Sequence, residues 1–197
     1  MQVRAARKAE SGFSLIETMI ALIILVVGIL GVAVMLGNGL AYMSTSQADY
    51  IAQQKAAAAV ESIFTARDVG KATWGTICNV GSSVCTGGIF ATGQNPLCGP
   101  GADGVIDTAD DFSGSSCAGG TLAAPDAILV PNSSGNFNPP TYLPLTTFKR
   151  SVVISSVTDS SGNTINNLRQ ITVTISYSAA NFKNRTYTLN AYISNFS

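Results

Sequence analysis

Residues Gly12 to Leu36, reading GFSLIETMIALIILVVGILGVAVML, restrict this chain more than any other part of it. From Met19 to Leu36 every residue is apolar or glycine. About 18 such residues are enough for a helix to cross a bilayer. One carboxylate, Glu17, stands at the start of the run, and the next charged side chain is Asp49. A charge at the edge of hydrocarbon costs several kcal/mol and tends to be paired or functional. The position of Glu17 suggests a subunit whose charge finds its partner in another copy of the same fold.

Arg4, Arg7 and Lys8 precede the run and are expected to stay on the cytoplasmic side. A secretory signal is cut after its apolar core. Here the small residues Ser11 and Gly12 come before the core. Cutting there removes the basic leader and leaves the hydrophobic helix on the mature chain.

Gly12-Phe13-Ser14-Leu15-Ile16-Glu17 resembles the cleavage and methylation motif of type IV prepilins and pseudopilins. The resemblance implies cleavage by a prepilin peptidase between Gly12 and Phe13, then N-methylation of Phe13. It implies that Glu17 pairs with the terminal amine of a neighbouring subunit during filament assembly. Two buried opposite charges tolerate an apolar setting that neither tolerates alone. Two positions depart from the commonest pattern. Thr18 follows Glu17, and Val34 lies about where many major pilins have a proline. The word IETMIALIILVVGILG is closer to minor pilins of the PilV type. Gly28 and Gly31 are the nearest helix-weakening residues, each costing about 1 kcal/mol relative to Ala. They suit either local melting or close helix packing. Read without the resemblance, the segment is a plain signal anchor with an interfacial Glu17.

The helical pattern continues beyond the apolar run. Residues 45–67 contain no Pro or Gly. Ala48, Ala52, Ala56, Ala59, Val60, Ile63 and Phe64 share one face, and Gln47, Gln54, Glu61, Thr65 and Asp68 share the other. Arg67 suits the last turn and Gly70 the stop. One helix from about Phe13 to Asp68 would be roughly 80 Å long. A bend at Gly37-Asn38-Gly39 would make it two.

Residues 71–146 are rich in Gly, Ser, Thr, Asn and Pro and hold all four cysteines, Cys78, Cys85, Cys98 and Cys117. An even count in an exported loop region reads as two disulfides. Three pairings are possible, of which Cys78–Cys85 with Cys98–Cys117 closes the shortest loops. No C-x-x-C and no His are present, which disfavours a zinc site. Asp103, Asp107, Asp110 and Asp111 lie within nine residues of the same region. Their spacing around Gly104-Val105-Ile106 resembles the second half of an EF-hand or dockerin-type calcium loop. The first half is missing, with Gly99 and Gly101 in place of early ligands. The two readings are a calcium site and a solvated acidic turn.

Residues 147–197 read as an antiparallel meander. Residues 148–157 form one strand candidate, Asp159 to Asn163 a turn, and residues 179–184 a loop. Ile171, Val173, Ile175 and Tyr177 alternate onto one face, and Tyr187, Leu189, Ala191 and Ile193 do the same. The Ala48–Phe64 helix face is available to cover that surface, which is the α+β solution and the type IV pilin-like architecture that the resemblance implies.

The expected domain organisation is a leader (1–12), a transmembrane or filament-core helix (13–40), an amphipathic half (41–70), a cysteine-containing loop region (71–146) and a sheet (147–197). There is no His, no G-x-S-x-G and no phosphate-binding glycine loop, so no enzymatic activity and no cofactor beyond possible calcium is expected. Outside the leader eight Lys and Arg face ten acids, a net charge near −2 that gives nucleic acid no general footprint. Lys149 with Arg150, and Lys183 with Arg185, read as charges on a solvated sheet edge. The expected function is a minor pilin that enters or primes a type IV pilus. Alternatives are a minor pseudopilin of a type II secretion system and a pilin-anchored, calcium-dependent adhesin or binding module. Expected partners are other pilins, prepilin peptidase, the inner-membrane assembly machinery and the membrane itself. The expected location is the inner membrane first, then the extracellular filament or periplasm.

Overall fold

The structure, a computed structural model, describes residues 12, 14–119, 123–179 and 182–195. The chain divides into two units, Met1–Met43 and Ser44–Ser197. Helix α1 runs over Leu15–Asp68 without interruption at Gly37-Asn38-Gly39, so the two-helix alternative does not apply. The eight strands are β1 (Asn95–Pro96), β2 (Phe112–Ser113), β3 (Ser116–Cys117), β4 (Ala127–Val130), β5 (Thr141–Pro144), β6 (Lys149–Thr158), β7 (Thr164–Ala179) and β8 (Phe182–Ser194). A 3-10 turn covers Ala109–Asp111.

In the first unit, every described residue up to Leu40 is exposed. Its Leu, Ile and Val side chains touch no core of their own. Each would gain about 1.5–3 kcal/mol on leaving water. A helix of this kind is stable only where lipid or another protein covers it.

The second unit is an α+β layer. Ala52, Ala56, Ala59, Ile63 and Ala66 of α1 are buried, at spacings of four, three, four and three. Ala48, Val60 and Phe64 flank them, half-buried. The alanines and Ile63 share one buried cluster with the inner face of the sheet. Gly70 then ends the helix in the left-handed region (φ 75°), as a C-terminal glycine does without strain.

The main sheet has the order β1-β6-β7-β8 and is antiparallel throughout. Its register sets Val152 against Val173 and Leu189, and Ile154 against Ile171 and Ala191. These residues, with Ile175 and Ile193, form the sheet side of the core. The strands are longer than the sequence pattern predicts, since β7 starts at Thr164 and β8 at Phe182. Ladder hydrogen bonds extend pairing into segments where the apolar–polar alternation is broken, with Ile165, Leu168 and Phe182 among the paired residues.

The loop region is stitched to the sheet by side chains. Asn79 is buried, donates its amide to the carbonyls of Ala91 and Val152, and accepts the Ile154 N–H at 2.8 Å. Its amide thus serves β6 as a neighbouring strand would. Disulfides join Cys78 to Cys85 and Cys98 to Cys117, the pairing with the shortest loops. Loop–helix contacts include the Lys55–Asp126 ion pair at 2.7 Å.

Candidate functional site

Two places carry the residues singled out by sequence. The first is the start of α1. Gly12 and Ser14 are exposed ahead of the helix, while Phe13 and the leader residues 1–11 lie outside the described residues. The Ser14 carbonyl accepts the N–H groups of Glu17 and Thr18, at 3.0 and 3.2 Å. Glu17 sits in the first turn and is exposed. A carboxylate there complements the helix dipole, and Glu17 has no ion-pair partner among the described residues. The Thr18 hydroxyl donates to the Leu15 carbonyl at 2.8 Å. That bond satisfies the hydroxyl within its own helix, which explains how a polar residue is tolerated beside an apolar run.

The second place is the acidic loop. Its carboxylates accept its own backbone N–H groups. Asp111 takes those of Gly101, Asp107 and Thr108, Asp110 takes that of Asp103, and Asp103 takes that of Val105. The Thr108 hydroxyl adds a bond to Asp110 at 2.7 Å. A Cβ at Gly101 would come within 2.3 Å of Asp110, so this close approach requires glycine. The loop is pinned to the helix region by Lys71, which donates to the Asp103 carbonyl, and by Ser62, which accepts the Ile106 N–H.

The structure brings together Asp103, Asp110 and Asp111, with one carboxylate oxygen from each lying within 4.8 Å of the other two. Each oxygen keeps acceptor capacity beyond its N–H bond, so the three suit a hard cation. Asp107 stands apart from them. It is fully buried and faces Arg150, with Nε to Oδ1 at 3.4 Å. Burial pushes its carboxyl up to about 6, and the nearby guanidinium offsets this only in part. Burial also pushes Asp111 up, against the pull of its three N–H donors. Asp110 is held below the ordinary carboxylate range, because hydrogen bonds from Thr108 and from the loop backbone outweigh its slight burial.

Arg150 is therefore no surface charge. It is buried on the inner face of β6, two residues before Val152. Arg185 is likewise engaged, with Nη2 at 2.9 Å from Asp49, whose carboxylate also accepts the Tyr177 hydroxyl. The sheet-edge reading of these two residues is corrected accordingly: each answers a carboxylate that arrives from a distant segment. Alternation supplied a signal for Arg150, which shares strand parity with Val152 and Ile154. The partners Asp107 and Asp49 carried none.

Comparison with known proteins adds one finding. Residues 7–33 match the family model for the prokaryotic N-terminal methylation motif. No curated protein and no solved structure matches the chain. The motif, the exposed apolar helix behind it and the α+β head with two disulfides together support a type IV pilin-like or pseudopilin protein.

Proposed function

We propose that this chain is a minor pilin with a structural, non-enzymatic role, which enters or primes a type IV pilus. A prepilin peptidase cuts between Gly12 and Phe13, Phe13 becomes N-methylated, and Glu17 meets the new amine of a neighbouring subunit. The inner membrane holds the chain through α1 before assembly, and the filament or periplasm receives it afterwards. The observation that carries this reading is the exposed helix start, where one carboxylate precedes an apolar stretch that is uncovered among the described residues of its own unit. The test is expression with and without prepilin peptidase, with the mature N-terminus read by mass spectrometry. A chain that stays uncut before Phe13 refutes the proposal. A pseudopilin of a type II secretion system would be processed in the same way. Trapped cross-links to pilus subunits, as against secretion-system subunits, separate the two.

The convergence of Asp103, Asp110 and Asp111 favours one addition, a structural calcium ion in the head. Calorimetry of the full-length chain in detergent tests it. Absence of both heat and a thermal shift on adding calcium rejects it and leaves the acidic turn held by its own hydrogen bonds.

A further inference from the structure

Three of the four described arginines meet a carboxylate: Arg67 with Asp68, Arg150 with Asp107 and Arg185 with Asp49. Arg169 meets none among the described residues. It is only 6% exposed, yet its guanidinium is answered by the carbonyls of Trp74, Ile77 and Val84 and by the Trp74 ring, 4.0 Å away. Carbonyl dipoles orient a cation but leave its net charge in place. Burial without a counter-ion pulls the guanidinium below its ordinary proton affinity.

The pairing of β6 with β7 is irregular at this point. Ser156 lies opposite Arg169, while the next residue, Val157, lies opposite Ile165. Asn166, Asn167 and Leu168 are thus extra residues on β7. Such bulges re-aim side chains and cluster beside binding sites. This one borders a concavity of about 380 Å³ whose wall includes Ser83, Ser156, Thr164, Asn166 and Arg169. The wall carries three hydroxyls, one amide and one guanidinium, and no carboxylate. Ser83 lies within the Cys78–Cys85 loop, so that disulfide helps to shape the rim.

We infer that this concavity binds an oxyanion, with Arg169 supplying the charge and the hydroxyls of Ser83, Ser156 and Thr164 supplying donors around it. A carboxylate, phosphate or sulfate group completes the charge that the described residues leave unanswered. Charge-assisted hydrogen bonds to a fixed guanidinium are the strong kind. The site lies in the head unit and is independent of the cleavage motif, so it neither requires nor tests the pilin reading.

Trp74 is the chain's sole tryptophan and reports on the site directly. The full-length chain in a non-ionic detergent is titrated with sodium phosphate, sodium sulfate and sodium acetate, with ionic strength held constant by sodium chloride. A saturable change in Trp74 fluorescence is expected. A response to phosphate and sulfate assigns a tetrahedral oxyanion, and a response to acetate alone assigns a carboxylate. Ser156→Asp places a carboxylate on the wall and should weaken binding by about tenfold or more through like-charge repulsion. Arg169→Met risks unfolding the loop it holds. If Ser156→Asp also lowers thermal stability, the paired change Ser83→Ala/Thr164→Ala takes its place, with weaker binding expected. The inference is overturned if none of the three salts gives a saturable change, if the change merely follows ionic strength, or if the folded variants bind as tightly as the parent.

Discussion

Replacing Asp107 by asparagine and Arg150 by methionine together should stabilise the head at pH 7. Asp107 is fully buried and Arg150 nearly so, yet they touch through a single Nε–Oδ1 contact at 3.4 Å. At an effective dielectric constant of 20, that separation gives an attraction of about 5 kcal/mol. Burying two ions costs several kcal/mol each, and a pair without bidentate geometry does not recover that cost. The balance is visible in Asp107 itself, raised by burial from 3.8 to about 6 despite the neighbouring cation. The proton is held more tightly in the folded state than in the unfolded chain. This group's contribution to stability is therefore complete below pH 3.8 and is lost as pH rises through about 6. The loss corresponds to about 3 kcal/mol at neutral pH. The paired change removes both charges at once, and with them Asp107 Oδ2 and Arg150 Nη2, two buried polar atoms that have no hydrogen-bond partner among the described residues. Asparagine suits position 107 for a second reason. It accepts the left-handed backbone at this position (φ 71°), which most residues resist. The expected gain is up to about 3 kcal/mol, or about 6–12 °C in Tm for a chain of this size. Urea unfolding of the full-length protein in detergent, followed by Trp74 fluorescence, measures it. The advantage over the parent should shrink as pH falls from 7 through 6 and vanish near 4. A variant less stable than the parent at pH 7, or a pH-independent difference, would show that attraction outweighs burial and refute the reasoning. Either replacement alone should be destabilising by contrast, because it leaves the other member of the pair buried without its partner.

Three further outcomes are expected. Glu17→Ala should be cleaved normally but enter filaments poorly, as read by immunoblotting of sheared filaments against whole cells; normal incorporation would remove Glu17 from the assembly contact. Replacing both Cys98 and Cys117 by serine should cost about 3 kcal/mol in urea unfolding, and the Cys78–Cys85 pair somewhat less because its loop is shorter. Ala56→Leu puts three extra carbons where α1 meets the sheet with no exposed surface, and should cost about 1–3 kcal/mol by overpacking; an unchanged unfolding midpoint would mean that the helix is free to move away from the sheet.

Periodic features were legible in the sequence. Alanines at spacings of four and three placed the inner face of α1, and strict alternation placed Ile171, Val173 and Ile175 in the core. The short-loop cysteine pairing was one of three that spacing allowed. What stayed hidden are contacts whose meaning lies in two distant places at once. Arg169 has the parity of Ile171 and Val173, but its carbonyl partners are 85 to 95 residues earlier. Asp107 was grouped with its acidic neighbours because they are adjacent in sequence, whereas in the fold it turns to β6. Asn79 stands in a Gly- and Ser-rich stretch, and no local pattern marks it as part of a sheet.

The position of Asn79 has a consequence for colloidal behaviour. An open strand edge is a template on which other chains stack. On β6 that template is occupied at Lys149–Arg150 by β1 and at Val152 and Ile154 by one side-chain amide. Conversion of that amide to an acid would replace a donor by a second acceptor and set it against the Val152 carbonyl. The edge of β6 would then lose its hydrogen-bonded cover at Val152 and Ile154. On the proposed pilin reading, in which heads pack side by side, one nitrogen atom helps to keep this strand edge closed to other chains.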